Sequence, residues 1–179
     1  NVMDLAFDSD GNLLAATQGK GFVLRISGPN DGYILYAASQ DEVRALTVDS
    51  NGNIYAAANT TRLSSVMDKS TTGTFGSGLQ GKAEMIQIQP SGFVTDFWTA
   101  PEGPVHDAVA DHRTTSILVA AGANGKIYRL NVTDTGYSVV ADVDESMVTA
   151  LAESTSGVLI GTANKGVIYE LETSAPLQA

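Results

Sequence analysis

The chain has no cysteine. That excludes a disulfide framework, a thiolate zinc site and thiol catalysis. Charge is scarce: 17% of the residues are Asp, Glu, Lys or Arg, against roughly 25% in an average soluble protein. Only five lysines occur, and ten basic residues face twenty acidic ones, for a net charge of −10. Such a chain is a poor partner for nucleic acid, whose phosphates have to be neutralised by Lys and Arg. No apolar run approaches the length of a transmembrane helix. Nor does any stretch keep helical periodicity over ten residues.

What is present is a globular composition, 43% apolar over 179 residues. Polarity comes from Ser, Thr, Asn and Gly more than from charge. That mix is common outside the cytoplasm, so an extracytoplasmic location (periplasmic, cell-surface or secreted) is expected.

The organising feature is a repeat. Four valine-led segments align: Val2 to Asp8, Val43 to Asp49, Val105 to Asp111 and Val148 to Ser154. A turn follows each, clearest in Ser9-Asp-Gly-Asn12 and Ser50-Asn-Gly-Asn53. Second runs come next, at Leu13 to Thr17, Ile54 to Ala58, Ile117 to Ala121 and Val158 to Thr162. Third runs are Phe22 to Ile26, Glu84 to Ile88, Lys126 to Leu130 and Val167 to Leu171. Fourth runs are Tyr33 to Tyr36, Phe93 to Trp98 and Tyr137 to Ala141, and the last unit lacks one. These runs have strand length and are bounded by turn residues, with Asp-Gly and Asn-Gly supplying hairpin geometry. Units of about 40–45 residues with four antiparallel strands are blades of a β-propeller.

The motifs Val-x-[Ala/Asp]-Leu-[Ala/Thr]-x-Asp, Asp/Asn-Gly-Asn-[Leu/Ile] and Gly-Lys-[Gly/Ile] leading to Tyr-[Arg/Glu]-Leu carry a resemblance. The chain resembles bacterial β-propellers of the NHL, WD40-like and sensor-propeller type. The Trp-Asp and Gly-His pairs of eukaryotic WD40 repeats are missing. The resemblance implies an all-β fold and leaves function open, because propellers host many activities.

The expected architecture is one propeller domain of four sequence blades. Its blades are 2–42, 43–104 with an insert at 59–82, 105–147 and 148–179, the last incomplete. Two routes to a covered fold stay open. The chain is a segment of a larger propeller, or it closes as a small ring, alone or through self-association at open blade edges.

In a propeller the turns between second and third strands share a face with the blade-to-blade links. One face is therefore expected to carry the insert, with Leu63, Val66, Met67 and Phe75, and an acidic rim of Asp41, Glu42, Glu102, Asp142, Asp144 and Glu145. Those ten residues form the candidate interaction surface. Met3, Arg44, His106 and Thr149 hold the second position of each first strand and are the candidate mouth of the central channel.

Several motifs mimic chemistry. Gly76-Ser-Gly-Leu-Gln-Gly-Lys82 matches a phosphate-binding pattern, but no apolar strand precedes it and no helix follows. Asp8-Ser-Asp-Gly-Asn12 opens like a calcium loop and reads better as an Asx-stabilised turn. His106 and Asp107 are adjacent on a strand, so alternation sends them to opposite faces, and Asp111 and His112 lie in the turn beyond. No catalytic, cofactor or metal residue is assigned.

The leading expectation is a non-enzymatic protein–protein interaction or scaffold module of an extracytoplasmic bacterial assembly, with a protein partner and no cofactor. A ligand-sensing propeller of a receptor or regulator is the alternative, and a lyase or lactonase-type propeller enzyme the third.

Overall fold

The computed structural model describes residues 1–60, 83–134 and 136–172. Among them are fifteen strands and no helix, in four antiparallel sheets. Nothing there is a helix long and apolar enough to cross a membrane. The first sheet holds β1 (Val2–Phe7), β2 (Leu13–Thr17), β3 (Phe22–Gly28) and β4 (Asp31–Ala37). The second holds β5 (Glu42–Val48), β6 (Ile54–Asn59), β7 (Ala83–Ile88) and β8 (Val94–Thr99). The third holds β9 (Val105–Asp111), β10 (Ser116–Ala121), β11 (Lys126–Asn131) and β12 (Tyr137–Asp142). The fourth has three strands, β13 (Val148–Glu153), β14 (Gly157–Thr162) and β15 (Ile168–Glu172). Within each sheet the strands lie in sequence order, each pairing antiparallel with the next.

The first strands β1, β5, β9 and β13 pack side by side in that order, so they form the inner edge of an arc of four blades. Three apolar cores fill the three junctions. Leu14, Ala16 and Val23 of the first blade meet Leu46, Ile54 and Ile86 of the second. Tyr55, Ala57 and Met85 meet Ala108, Ile117 and Tyr128 of the third. Leu118, Ala120 and Ile127 meet Leu151, Val158 and Ile160 of the fourth. The alanines of β2, β6 and β10 lie at the crowded inner half of each junction, where small side chains let two sheets approach.

The fourth-strand aromatics divide. Trp98 packs on Tyr128 and Tyr137 across the second junction, with ring centroids 5.3 and 5.8 Å away, and Phe97 meets Tyr55 edge-on at 5.1 Å. Tyr33 and Phe93 stay exposed.

The turn after each of the first two inner strands is built the same way. Asp8 Oδ1 accepts the amides of Asp10 and Asn12 while Oδ2 accepts Asn12 Nδ2; Asp49 does the same with Asn51 and Asn53. These carboxylates are committed to closing Asx turns. Asp8 also takes Arg25 Nε at 2.8 Å.

Candidate functional site

Each inner strand breaks register at the residue after its leading valine. Pairing skips Met3 in β1, Arg44 in β5, His106 in β9 and Thr149 in β13. All four axial candidates are thus β-bulge residues, and a bulge bends the strand and re-aims its side chain. Strict alternation, expected to send His106 and Asp107 to opposite faces, does not hold at a bulge. The bulged side chains turn to local partners. His106 Nε2 lies 2.8 Å from the Gly122 carbonyl, Thr149 Oγ1 donates to the Gly161 carbonyl at 3.4 Å, and Arg44 pairs with Glu42 at 3.8 Å.

The residue after the bulge carries a second device. It is Asp4 in the first blade and Asp107 in the third. Asp4 accepts the amide of Leu5 and that of Leu46 in the next blade; Asp107 accepts the amides of Ala108 and Leu151. The two aspartates that follow a bulge on the inner strands are therefore staples between neighbouring blades. Burial raises the Asp107 carboxyl above its ordinary value, with the Asp4 charge adding to the rise, and its two amide partners and Arg44 pull the other way. The second junction is tied by Thr47 Oγ1, which accepts the Ala110 amide, and by Asn59, whose side chain pairs both ways with the Val105 backbone at 2.8 and 3.0 Å.

The link face has a different character. Gly19 in the first second-to-third turn donates its amide to the Asp41 carbonyl in the link, and Lys126 reaches Glu102 at 2.6 Å. Turns and links thus share one face. Between turn and link of the first blade lies a polar groove of about 280 Å³, lined by Gly19, Lys20, Ser39, Gln40, Asp41 and Thr60. Thr60 is the last described residue before position 83. Beneath it sits a buried polar layer: Gln40 donates to Glu84, and Glu42 accepts from Asn59 and Gln18, each at 3.4 Å.

The six acids of the rim separate into kinds. Glu42 and Glu145 are buried, Glu145 accepting the Tyr169 hydroxyl at 2.8 Å, so both act inside the fold rather than on its surface. Glu102 accepts from Lys126 and Asn124, and those bonds hold its carboxyl below the usual range. Asp41 is half-buried, and Asp142 and Asp144 are exposed. Asn59, expected at the start of the insert, is instead the end of β6. Leu63, Val66, Met67 and Phe75, and the glycine-rich stretch 76–82, lie outside the described residues.

Comparison with known proteins bears on the fold. One family model, described as a beta-propeller repeat, matches residues 26–62. No curated protein matches the chain. Among solved structures it is similar to a gluconolactonase-like protein (TM-score 0.65, 13% identity, covering 88% of this chain and 56% of that one). It is similar to the computationally designed Ika4 protein (0.59, 15%, covering 96% and 91%). Streptogramin B lyase also matches (0.60, 13%, covering 98% and 55%). The chain folds as a β-propeller. It spans a little over half the length of the two natural propellers and nearly all of the designed one.

Proposed function

We propose that this β-propeller, of the NHL or WD40-like sort, is a non-enzymatic protein-interaction module of an extracytoplasmic bacterial assembly. Its recognition surface is the link face. The observation that carries this reading is the division of labour in the molecule. The acidic groups near the axis are committed to joining blades, whereas the link face gathers the polar groove, the exposed Asp142 and Asp144, and the point where residues 60–82 leave the second blade. A rigid blade scaffold with variable loops on one face is a common basis for recognition. The extracytoplasmic placement rests on composition, with polarity drawn from Ser, Thr and turn residues and only five lysines.

Site-specific photo-crosslinking in native cells tests it. A photoreactive residue at Ser39, on the link face, is expected to label one discrete protein. The same residue at Asn51, on the opposite face, is expected not to, and Lys20→Glu should suppress the Ser39 product. Equal labelling from both faces overturns the proposal.

The groove supports a second reading, a ligand-sensing propeller that holds a small polar molecule between Lys20 and Asp41. Saturable binding lost in Lys20→Ala, with no crosslinked protein, would favour it. The enzymatic reading draws on the names of the lactonase-like and lyase neighbours alone. Lactone hydrolysis or lyase turnover abolished by His106→Ala, in a variant that keeps wild-type stability, would establish it in place of the first.

A further inference from the structure

The two ends of the arc are unfinished in a matching way. In the second, third and fourth blades, the face turned to the preceding blade buries the fourth residue of the valine-led segment: Leu46, Ala108 and Leu151 are at most 9% exposed. The equivalent residue of the first blade, Leu5, is 57% exposed. Register places Leu5 in one row with Ala15, Leu24 and Ile34, and Phe7 in the next row with Leu13 and Ile26. That face is apolar across four strands, like the faces that fill the three existing junctions.

The other end mirrors it. In the first three blades, the face turned to the following blade buries the second residue of the second apolar run and the third-strand residue paired with the alanine two positions further on. Leu14, Tyr55 and Leu118, and Val23, Met85 and Ile127, are all fully buried. Their equivalents in the fourth blade, Leu159 and Ile168, are 38% and 72% exposed. Gly161, the register partner of Ile168, stands where the other blades have the small alanines Ala16, Ala57 and Ala120. The first blade therefore presents one half of a blade junction and the fourth blade presents the other half.

The geometry points to a second copy of this chain as the occupant of both ends. The fourth blade of one copy packs on the first blade of the other, and the reverse, giving a head-to-tail ring of two chains related by a twofold axis. An interface that uses two different patches closes only if the rotation brings the second pair together; otherwise it grows into open filaments. Pairing two arcs covers every end face with a surface of the kind that already covers the other three. Exposed apolar sheet faces of this extent are otherwise an aggregation hazard. This proposal uses the end faces and is independent of the link face invoked above.

Sedimentation of the 179-residue chain at micromolar concentration tests it. A single species of twice the 18.6 kDa chain mass is expected. Leu5→Asp and Ile168→Asp alter opposite ends at positions exposed in one chain, so both should keep the wild-type circular dichroism and each should be monomeric. An equimolar mixture of the two retains one intact junction and is expected to recover a mixed dimer of lower affinity. A monomeric wild type overturns the proposal and leaves the end faces for additional blades or another protein. A ladder of higher oligomers overturns the closed ring. A dimer that survives either substitution, or the absence of any mixed dimer, overturns the head-to-tail pairing.

Discussion

The carboxylate of Asp107 accepts the backbone amide of Leu151 at 2.6 Å, across the junction between the third and fourth blades. Asp4 does the same for Leu46 between the first and second, at 2.7 Å. Each aspartate also holds the amide that follows it on its own strand. One side chain thus ties two inner strands of different sheets.

Replacing either aspartate by alanine leaves two amides short of their partner. Leaving a part-buried amide without its partner costs about 1–3 kcal/mol. Asp4→Ala and Asp107→Ala are each expected to lower stability to urea by that amount. Amide exchange should accelerate at Leu46 in the first variant and at Leu151 in the second. Unchanged protection at these amides would show that the staples do not hold the junctions.

Two carboxyls give opposite pH signatures. Burial pushes the Asp8 carboxyl up, but hydrogen bonds from Asn12, the charge of Arg25 and the Asp10 amide outweigh it, and the net shift is downward. A depressed folded value contributes stability above the unfolded value, and that contribution is lost as pH falls through the folded one. Asp107 is raised, so the native state takes up its proton first, and this group adds stability as pH falls from its folded value toward the unfolded one. Asp8→Asn should therefore be less stable than wild type at neutral pH, with the difference closing below about pH 4. Asp107→Asn should lose stability more steeply than wild type on acidification. Parallel urea midpoints against pH for all three proteins would refute both assignments.

Three glycines occupy equivalent turn positions with different neighbours. Gly21 has φ +60°, and a Cβ there would fall 2.1 Å from the Gln40 carbonyl oxygen; at Gly125, φ +68°, it would fall 2.4 Å from that of Val143. Gly166, φ +66°, has nothing within 4 Å of such a Cβ. Gly166→Ala carries only the left-handed backbone penalty of about 1–2 kcal/mol. Gly21→Ala and Gly125→Ala add overpacking against a link carbonyl, roughly another 1–3 kcal/mol. Chemical denaturation should rank Gly166→Ala as the mildest of the three. Equal losses would mean that the close turn-to-link approach is not what requires glycine.

Strand order and blade number were legible because the repeat spells each hairpin: Asp8 and Asn12 recur as Asp49 and Asn53, and both pairs close the same turn. The staples were half legible. The third position of the valine-led segments reads Asp4, Ala45, Asp107, Ala150, an alternation visible by eye. What it does depends on the neighbouring blade, and that neighbour is set by the arc rather than by the strand. The bulges at Met3, Arg44, His106 and Thr149 could not be read, because one extra residue inside a strand leaves no mark on an apolar pattern. The acidic rim was misjudged at Glu42 and Glu145 for a related reason. A glutamate beside a turn looks solvated in sequence, but Asn59 and Gln18 in one case and Tyr169 in the other supply hydrogen-bond donors from distant parts of the chain.

Asn59 and Ala83 stand opposite each other where β6 meets β7. The chain therefore departs from the second blade and rejoins it at a single rung, a few ångströms apart, whatever lies between. Because the entropic cost of closing a loop grows only slowly with its length, this rung is a port at which segments of different size and sequence can be exchanged while the four sheets stay as they are.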